Sequence, residues 1–222
     1  MPTALIIGAS RGIGQELVRQ YLGQGWRVIA TARQENHCAA LKELGAEAHQ
    51  LDVTDVEGCA ALGWKLDGEH LDVAILNAGV YGPRHDGFPL QSDFDAVMHT
   101  NVLAAMRLLP LIAPMVCAAR GKLAALSSHM GSLSERDNPT GTLYRASKAA
   151  LNSVLIDTAQ RFGAKGATCV ALHPGWVRTD MGGQGADLSA EESAAGIRAT
   201  LAALAPSSQA AYLHHDGKPI GW

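Results

Sequence analysis

Tyr144 and Lys148 are the two residues whose types and spacing most directly suggest chemistry. They stand four positions apart in Tyr144-Arg145-Ala146-Ser147-Lys148, inside a segment whose pattern predicts a helix over Leu143 to Phe162. Side chains at that spacing share a helix face, so a phenol and an ammonium could meet at one reacting atom. A free tyrosine, with a pKa of roughly 10, is a poor proton carrier near neutrality. A neighbouring cation favours the phenolate, and the expectation is that Lys148 draws the Tyr144 pKa down toward working pH. Such pairs also arise by chance in many helices, so the weight of this one depends on what else the chain brings to it.

The elements that would position the pair begin at the N-terminus. Thr3 to Ile7 is a short apolar run of strand type, and it leads into Gly8-Ala9-Ser10-Arg11-Gly12-Ile13-Gly14. An amphipathic helix follows, with Ile13, Leu17, Val18, Tyr21 and Leu22 on one stripe. Gly8 would allow a tight exit from the strand, Gly12 a close approach to a pyrophosphate, and Gly14 close packing of helix on sheet. The helix N-terminus offers unpaired N–H groups and the positive end of its dipole to a phosphate.

Strands and helices then alternate to the end of the chain. Predicted strands are Ala4 to Ile7, Arg27 to Thr31, Glu47 to Leu51, Val73 to Leu76, Lys122 to Ser127, Thr168 to Leu172 and Ala211 to Leu213. Predicted helices are Gly12 to Gln24, Asn36 to Leu44, Val56 to Gly63, Ser92 to Ala119, Leu143 to Phe162 and Ala190 to Ala203. The pattern implies an α/β fold: one Rossmann-like, doubly wound parallel sheet of about seven strands, covered by helices on both faces, in a single domain over 1–222. Pro110 and Pro114 each lack an N–H, so the long fourth helical segment is expected to kink or split there.

Composition excludes several classes of function. The 222 residues carry a formal charge of −3 with both signs interspersed, which argues against a nucleic-acid partner. Cys38, Cys59, Cys117 and Cys169 are scattered without metal-ligand spacing, so no metal site is expected and free thiols in a reducing cytoplasm are. No secretory leader is apparent. The most apolar stretch, Val102 to Ala119, is broken by Arg107, Pro110 and Pro114, so no membrane span is expected either.

Ligands of a doubly wound sheet gather beyond the carboxyl ends of its strands. Polar and turn-forming residues collect at those ends: Ala32 and Arg33, Asp52 and Val53, Asn77-Ala78-Gly79, Ser127 and Ser128, and His173-Pro174-Gly175. Singly, each suits an ordinary turn. Together, along one edge, they outline a cofactor cleft.

Across almost its whole length the chain resembles the short-chain dehydrogenase/reductase family. The resemblance is carried by Gly8-x3-Gly12-x-Gly14, Asp52-Val53, Asn77-Ala78-Gly79, Asn101, Ser128, Tyr144-x3-Lys148 and Pro174-Gly175-x-Val177-x-Thr179. The runs from Tyr144 to Asn152 and from His173 to Gly183, with the ending Asp216 to Trp222, resemble its C-factor and Sniffer-type carbonyl reductase branch. Two features depart from the usual pattern. Ile7 replaces the usual threonine before the first glycine, removing a hydroxyl that helps fix the cofactor loop. The interval from Ser128 to Tyr144 is also longer than in many members, which suggests a larger loop around Glu135 to Thr140.

The resemblance implies an NAD(P)H-dependent oxidoreductase that interconverts a carbonyl and an alcohol. Its tetrad would be Asn101, Ser128, Tyr144 and Lys148: Tyr144 delivers the proton, Ser128 steadies the oxygen, and Lys148 tunes Tyr144 and holds the nicotinamide ribose. Asn101 would sit at a helix irregularity and help hold a water that leads to Lys148. Ser127 competes with Ser128, but the family's serine lies three residues before a glycine, and Gly131 fits Ser128. The cofactor would lie against Gly8, Ser10, Arg11, Gly12, Ile13 and Gly14. Asp52 and Val53 would border the adenine, and Asn77, Ala78 and Gly79 would form the floor. Pro174, Gly175, Val177 and Thr179 would close the carboxamide end.

The place after the second strand, where NAD enzymes commonly carry an acid, reads Thr31-Ala32-Arg33, and with Arg11 this favours NADP over NAD. Tyr81, His129, Met130, Trp176 and Met181 are expected to shape a mainly apolar pocket for an aromatic or aliphatic ketone or aldehyde, with 181–190 as a mobile lid. The family also implies a homodimer or homotetramer. The alternative is a C-factor-like signalling or regulatory protein in which turnover is secondary. The joint presence of the four tetrad residues favours the enzyme.

Overall fold

The computed structural model describes residues 1–84 and 87–222. Its strands are β1 (Thr3–Ile7), β2 (Arg27–Ala32), β3 (Glu47–Gln50), β4 (Val73–Leu76), β5 (Lys122–Leu126), β6 (Thr168–His173) and β7 (Ala211–His214). Its helices are α1 (Gly12–Gly23), α2 (Glu35–Glu43), α3 (Val56–Lys65), α4 (Gln91–Met98), α5 (Ala104–Ala119), α6 (Thr142–Phe162) and α7 (Ala190–Ala203). The seven strands form one sheet in the order β3-β2-β1-β4-β5-β6-β7, and every pairing is parallel. The expected strands and helices are all present, with ends displaced by no more than a residue or two.

Strands buried on both faces explain the near-continuous apolar runs in the sequence. Along β1, Ala4 and Ile6 face the layer of α1, α2 and α7, while Leu5 and Ile7 face that of α3, α5 and α6. All four are at most 1% exposed, so β1 is the spine of both cores. The chain winds outward from β1 to β3, then returns to place β4 on the other side of β1. The connections after β1 and β4 therefore leave in opposite directions, and the crevice between them opens at their carboxyl ends.

One expectation about the long fourth segment is corrected. The helix does not split at Pro110 or Pro114: α5 runs through both. The irregularity lies earlier, in a π-helical turn over His99–Leu103 that contains Asn101 and joins α4 to α5. A widened turn of this kind is common at functional sites. The helical run Gln91–Ala119 contains an 18-residue stretch of mean hydropathy 2.0 and is long enough to cross a membrane. Here α5 packs between α3 and α6 and buries Leu108, Leu109, Ile112 and Val116 in the core.

After β7 the chain reverses at Gly217 (φ +84°), and the Ile220 N–H donates to the Tyr212 carbonyl at 2.8 Å. The tail then braces the loop that follows β5: Ser132 Oγ donates to the Gly221 carbonyl at 2.6 Å, and Ser134 N–H to that of Trp222 at 3.0 Å.

Candidate active site

One wall of the crevice is built from backbone. Gly8 has φ +86°, and a Cβ there would lie 2.9 Å from Ala78. A Cβ on Gly14 would lie 2.6 Å from Asn77 Nδ2 and closer still to the Gly8 carbonyl. That carbonyl accepts a hydrogen bond from Asn77 Nδ2, and the Ile7 carbonyl accepts from the Asn77 and Ala78 N–H groups at 3.0 Å. The Asn77-Ala78-Gly79 run thus braces the glycine turn. Gly12 (φ +55°) faces Thr179, whose Cγ2 would be 3.0 Å from an added Cβ. No side chain caps α1, so its first-turn N–H groups remain open to an anion, and the turn fits a dinucleotide pyrophosphate.

The hydroxyl lost at Ile7 is replaced from the next strand. Ile7 pairs in register with Thr31 on β2. The buried Thr31 Oγ1 accepts from the Gly8 N–H at 3.1 Å, while its carbonyl accepts from Ala9 N–H at 2.7 Å. This substitute was not recognisable before β1 and β2 were paired.

At the far end of the same wall, Asp52 Oδ1 accepts from Thr54 N–H at 2.9 Å and Thr54 Oγ1 at 2.7 Å. These bonds, with a weaker contribution from Arg33, hold its carboxyl below the usual range. Val53 is buried in the core beside it. The Arg33 side chain is exposed at the mouth of the crevice. Arg11 is also exposed, but it is already engaged, its Nη1 lying 2.8 Å from Asp180 Oδ2. The sequence reading passed over Asp180.

The opposite wall is built from buried side chains on three different elements. Lys148, on the second turn of α6, donates from Nζ to the Leu126 carbonyl at 2.8 Å. Gly131 lets the preceding loop lie against it, since a Cβ there would be 2.9 Å from Lys148 Cβ. A Cβ on Gly79 would meet Asn101 Oδ1 at 3.3 Å and Lys148 Nζ at 3.4 Å, so the two side chains share one small space. Asn101 spends its amide on protein: Oδ1 accepts from Val80 N–H at 2.8 Å, and Nδ2 donates to the Val80 carbonyl at 2.8 Å and Ser147 Oγ at 2.9 Å. Ser147 Oγ in turn donates to the Tyr144 carbonyl at 2.8 Å. Ser147 is therefore the link between Asn101 and the first turn of α6, a role with no signal in its residue type alone.

Tyr144 is 8% exposed, and Ser128 lies near enough to its hydroxyl to lower its pKa. Ser128 Oγ also accepts from Met130 N–H at 3.2 Å. Ser127 points elsewhere, donating to Asn152 Oδ1 at 2.6 Å. The tyrosine's protonation differs from the expectation. Burial pushes its pKa up to about 12, against a smaller lowering by Ser128. Lys148 Nζ lies 5.5 Å from the Tyr144 ring centroid, and burial pulls the lysine's own pKa down to about 8. Desolvation outweighs the attraction expected between the pair, because both groups give up water to meet.

Of the residues expected around the substrate, Tyr81 stacks on Tyr144 with ring centroids 4.6 Å apart. Met130 Cε and the Tyr81 hydroxyl both approach Gly141, the N-cap of α6. A cleft of about 200 Å³ opens here between Tyr81, Pro83, Pro89, Leu143 and Tyr144. Met130, His129, Trp176 and Met181 are not on its lining. His129 Nε2 lies 3.1 Å from Glu135 Oε2, and its ring joins those of His173 and His214 in a cluster at the ends of β6 and β7. Trp176 is 54% exposed and donates to the Gly182 carbonyl at 2.9 Å. The Met181 carbonyl accepts from Arg84 Nη2 at 2.6 Å. Val177 bridges to Leu188, and Arg178 Nη1 donates to the Ala186 and Asp187 carbonyls, which closes this segment into a compact loop. Pro174 and Gly175 lie at its base, and the Pro174 carbonyl is held by Ser193 Oγ at 2.7 Å.

Arg145, adjacent to Tyr144, was also passed over. It is 4% exposed and donates to the Thr140 carbonyl at 2.8 Å and Asn138 Oδ1 at 2.9 Å, tying down the long loop before α6.

Comparison with known proteins agrees with this geometry. Residues 2–188 match the short chain dehydrogenase family. The C-signal protein of Myxococcus xanthus is 33% identical over 154 residues, covering 68% of this chain and 93% of its own. A short-chain dehydrogenase/reductase of Burkholderia multivorans, solved with bound NADP, superposes with a TM-score of 0.92 at 34% identity, covering 100% of this chain and 99% of its own. The carbonyl reductase Sniffer of D. melanogaster superposes with a TM-score of 0.91 at 25% identity over 100% of both chains. The chain belongs to the short-chain dehydrogenases and is an oxidoreductase of that family, interconverting a carbonyl and an alcohol with a nicotinamide cofactor.

Proposed function

We propose that the protein works as a carbonyl reductase that prefers NADPH, with Tyr144 as the proton donor to an apolar ketone or aldehyde. The observation that carries this reading is the buried Tyr144 phenol, with Lys148 Nζ 5.5 Å from its ring centroid and both on the wall that faces the glycine turn. A phenol whose pKa is about 12 stays protonated through neutral pH, which is the form needed to give a proton to an oxygen gaining negative charge. Ser128 would donate to that oxygen as the charge develops. Lys148 remains mostly cationic below about pH 8, so it would stabilise the phenolate left behind and pass it a replacement proton. With the Asn101 amide committed to Val80 and Ser147, a water leading to Lys148 would be held by the main chain of the π-helical turn.

The nicotinamide, when bound, supplies the hydride. Gly8, Ser10, Gly12, Ile13 and Gly14 would hold its pyrophosphate, and Asp52 and Val53 its adenine. Asn77, Ala78 and Gly79 would lie beneath it, with Pro174, Gly175, Val177 and Thr179 at the carboxamide. Arg33, exposed at the end of β2, supports the preference for a 2′-phosphate, as does the NADP bound by the Burkholderia relative. Arg11 would leave Asp180 to join it. We also assign 181–190 as a substrate lid and expect a homodimer or homotetramer in the cytoplasm, where four free thiols would remain reduced.

The test replaces Tyr144 by Phe and measures turnover of a ketone and aldehyde panel with NADPH, together with NADPH affinity. Collapse of turnover with affinity retained is the expected result. Wild-type turnover would remove the acid role and favour a regulatory dinucleotide-binding protein like C-signal.

A further inference from the structure

Tyr144 stands in the first turn of α6, which begins at Gly141 in the left-handed region (φ +68°). Lys148 donates to the Leu126 carbonyl at 2.8 Å and not to the phenol. What fixes the plane of the ring is a second tyrosine. Tyr81, in the loop after β4, stacks on it at 4.6 Å between centroids and 28° between planes. An aromatic pair at that separation favours an offset parallel arrangement and resists rotation. Tyr81 is held in turn. The Arg84 guanidinium lies 5.5 Å from its ring centroid, and Arg84 Nη2 is anchored at 2.6 Å on the Met181 carbonyl.

From this stack we infer that Tyr81 is a positioning residue for the reaction: its ring holds the Tyr144 phenol at the angle from which the proton is delivered, and Arg84 carries that restraint to the loop after β6. The inference rests on the acid role of Tyr144. It differs from a pocket-lining role for Tyr81, which would affect substrate binding and leave the chemical step untouched. A rotated phenol would lose its aim at the substrate oxygen while the cofactor wall stayed intact. Removing the ring would also let water reach Tyr144 and weaken the burial that keeps it protonated.

The experiment compares wild type with Tyr81→Ala, Tyr81→Phe, Arg84→Ala and Tyr144→Phe. For each protein, kcat and KM for one aromatic ketone, NADPH affinity and the pH profile of kcat are measured. Tyr81→Ala should lower kcat roughly 3- to 10-fold, the range of an aromatic pair, with NADPH affinity and the alkaline limb set by Lys148 unchanged. Tyr81→Phe keeps the ring and should recover most of the lost kcat. Arg84→Ala should give a smaller loss of the same kind. A rise in KM alone in Tyr81→Ala, or a Tyr81→Phe as impaired as Tyr81→Ala, would overturn the positioning role. Unchanged NADPH affinity excludes a folding defect. If Tyr144→Phe is inactive while Tyr81→Ala keeps its kcat, the positioning role alone fails; if Tyr144→Phe turns over normally, the acid role fails and the positioning role with it.

Discussion

Along the glycine wall, Gly8 and Gly14 leave no room for a Cβ and Asn77 bonds to backbone, so recognition there is a matter of main-chain shape. Along the facing wall, Asn101, Ser128, Tyr144 and Lys148 come from the π-helical turn, the end of β5 and α6, and everything depends on buried side chains. The first wall keeps its groups ready by excluding atoms. The second sets its protonation states by excluding water, which is why Tyr144 rises to about 12 while Lys148 falls to about 8. A backbone site tolerates nothing larger than hydrogen, and a desolvated site responds most to a change in charge or hydrogen bonding.

The largest effect that separates the walls should come from Tyr144→Phe. Loss of a positioned general acid is expected to cost roughly 10²- to 10⁴-fold in turnover, with NADPH affinity measured by fluorescence titration kept. Gly14→Ala attacks the other wall. Its methyl would displace the Asn77 bond to Gly8, and we expect a stability loss of about 1–3 kcal/mol by urea unfolding with NADPH binding weakened in parallel. Unaltered cofactor binding in that variant would break the comparison. Arg33→Ala should lower NADPH affinity about tenfold and leave NADH nearly unchanged, the scale of one charge-assisted bond to phosphate. An equal change for both cofactors would remove the phosphate assignment.

The smallest effect concerns the histidines beside the reaction wall. Burial, reinforced by His214, His129 and His215, holds the His173 pKa down to about 3, and its Nδ1 has no hydrogen-bond partner among the described residues. The unfolded chain takes up a proton near the ordinary histidine value of 6.5 while the folded one does not, so this contribution is complete above that pH and is lost as pH falls toward 3. The slope is at most ~1.4 kcal/mol per pH unit. His173→Leu should flatten the fall in thermal midpoint between pH 6.5 and 4.5, and an unchanged slope would place the acid sensitivity elsewhere.

The glycine turn, the alternating strands and the Tyr144 and Lys148 pair were legible in the sequence because each is local: its meaning lies within a strand, a turn or one helical turn. The unbroken apolar run Ala4, Leu5, Ile6 and Ile7 was enough to imply a strand with two buried faces. Ser147, Thr31, Arg84 and Asp180 were not legible. Each acts on a residue distant in sequence, as Thr31 does on Gly8 and Arg84 on Met181, or takes its meaning from such a partner, as Ser147 does from Asn101. Sequence alone thus determined the order of elements, the parallel sheet and the edge where polar residues gather, since periodicity and turn chemistry are short-range. Only the tertiary structure decided where Ser127 points, where the fourth helical segment widens and which way the phenol's pKa moves. Those outcomes depend on the distance between separate elements and on the water expelled between them.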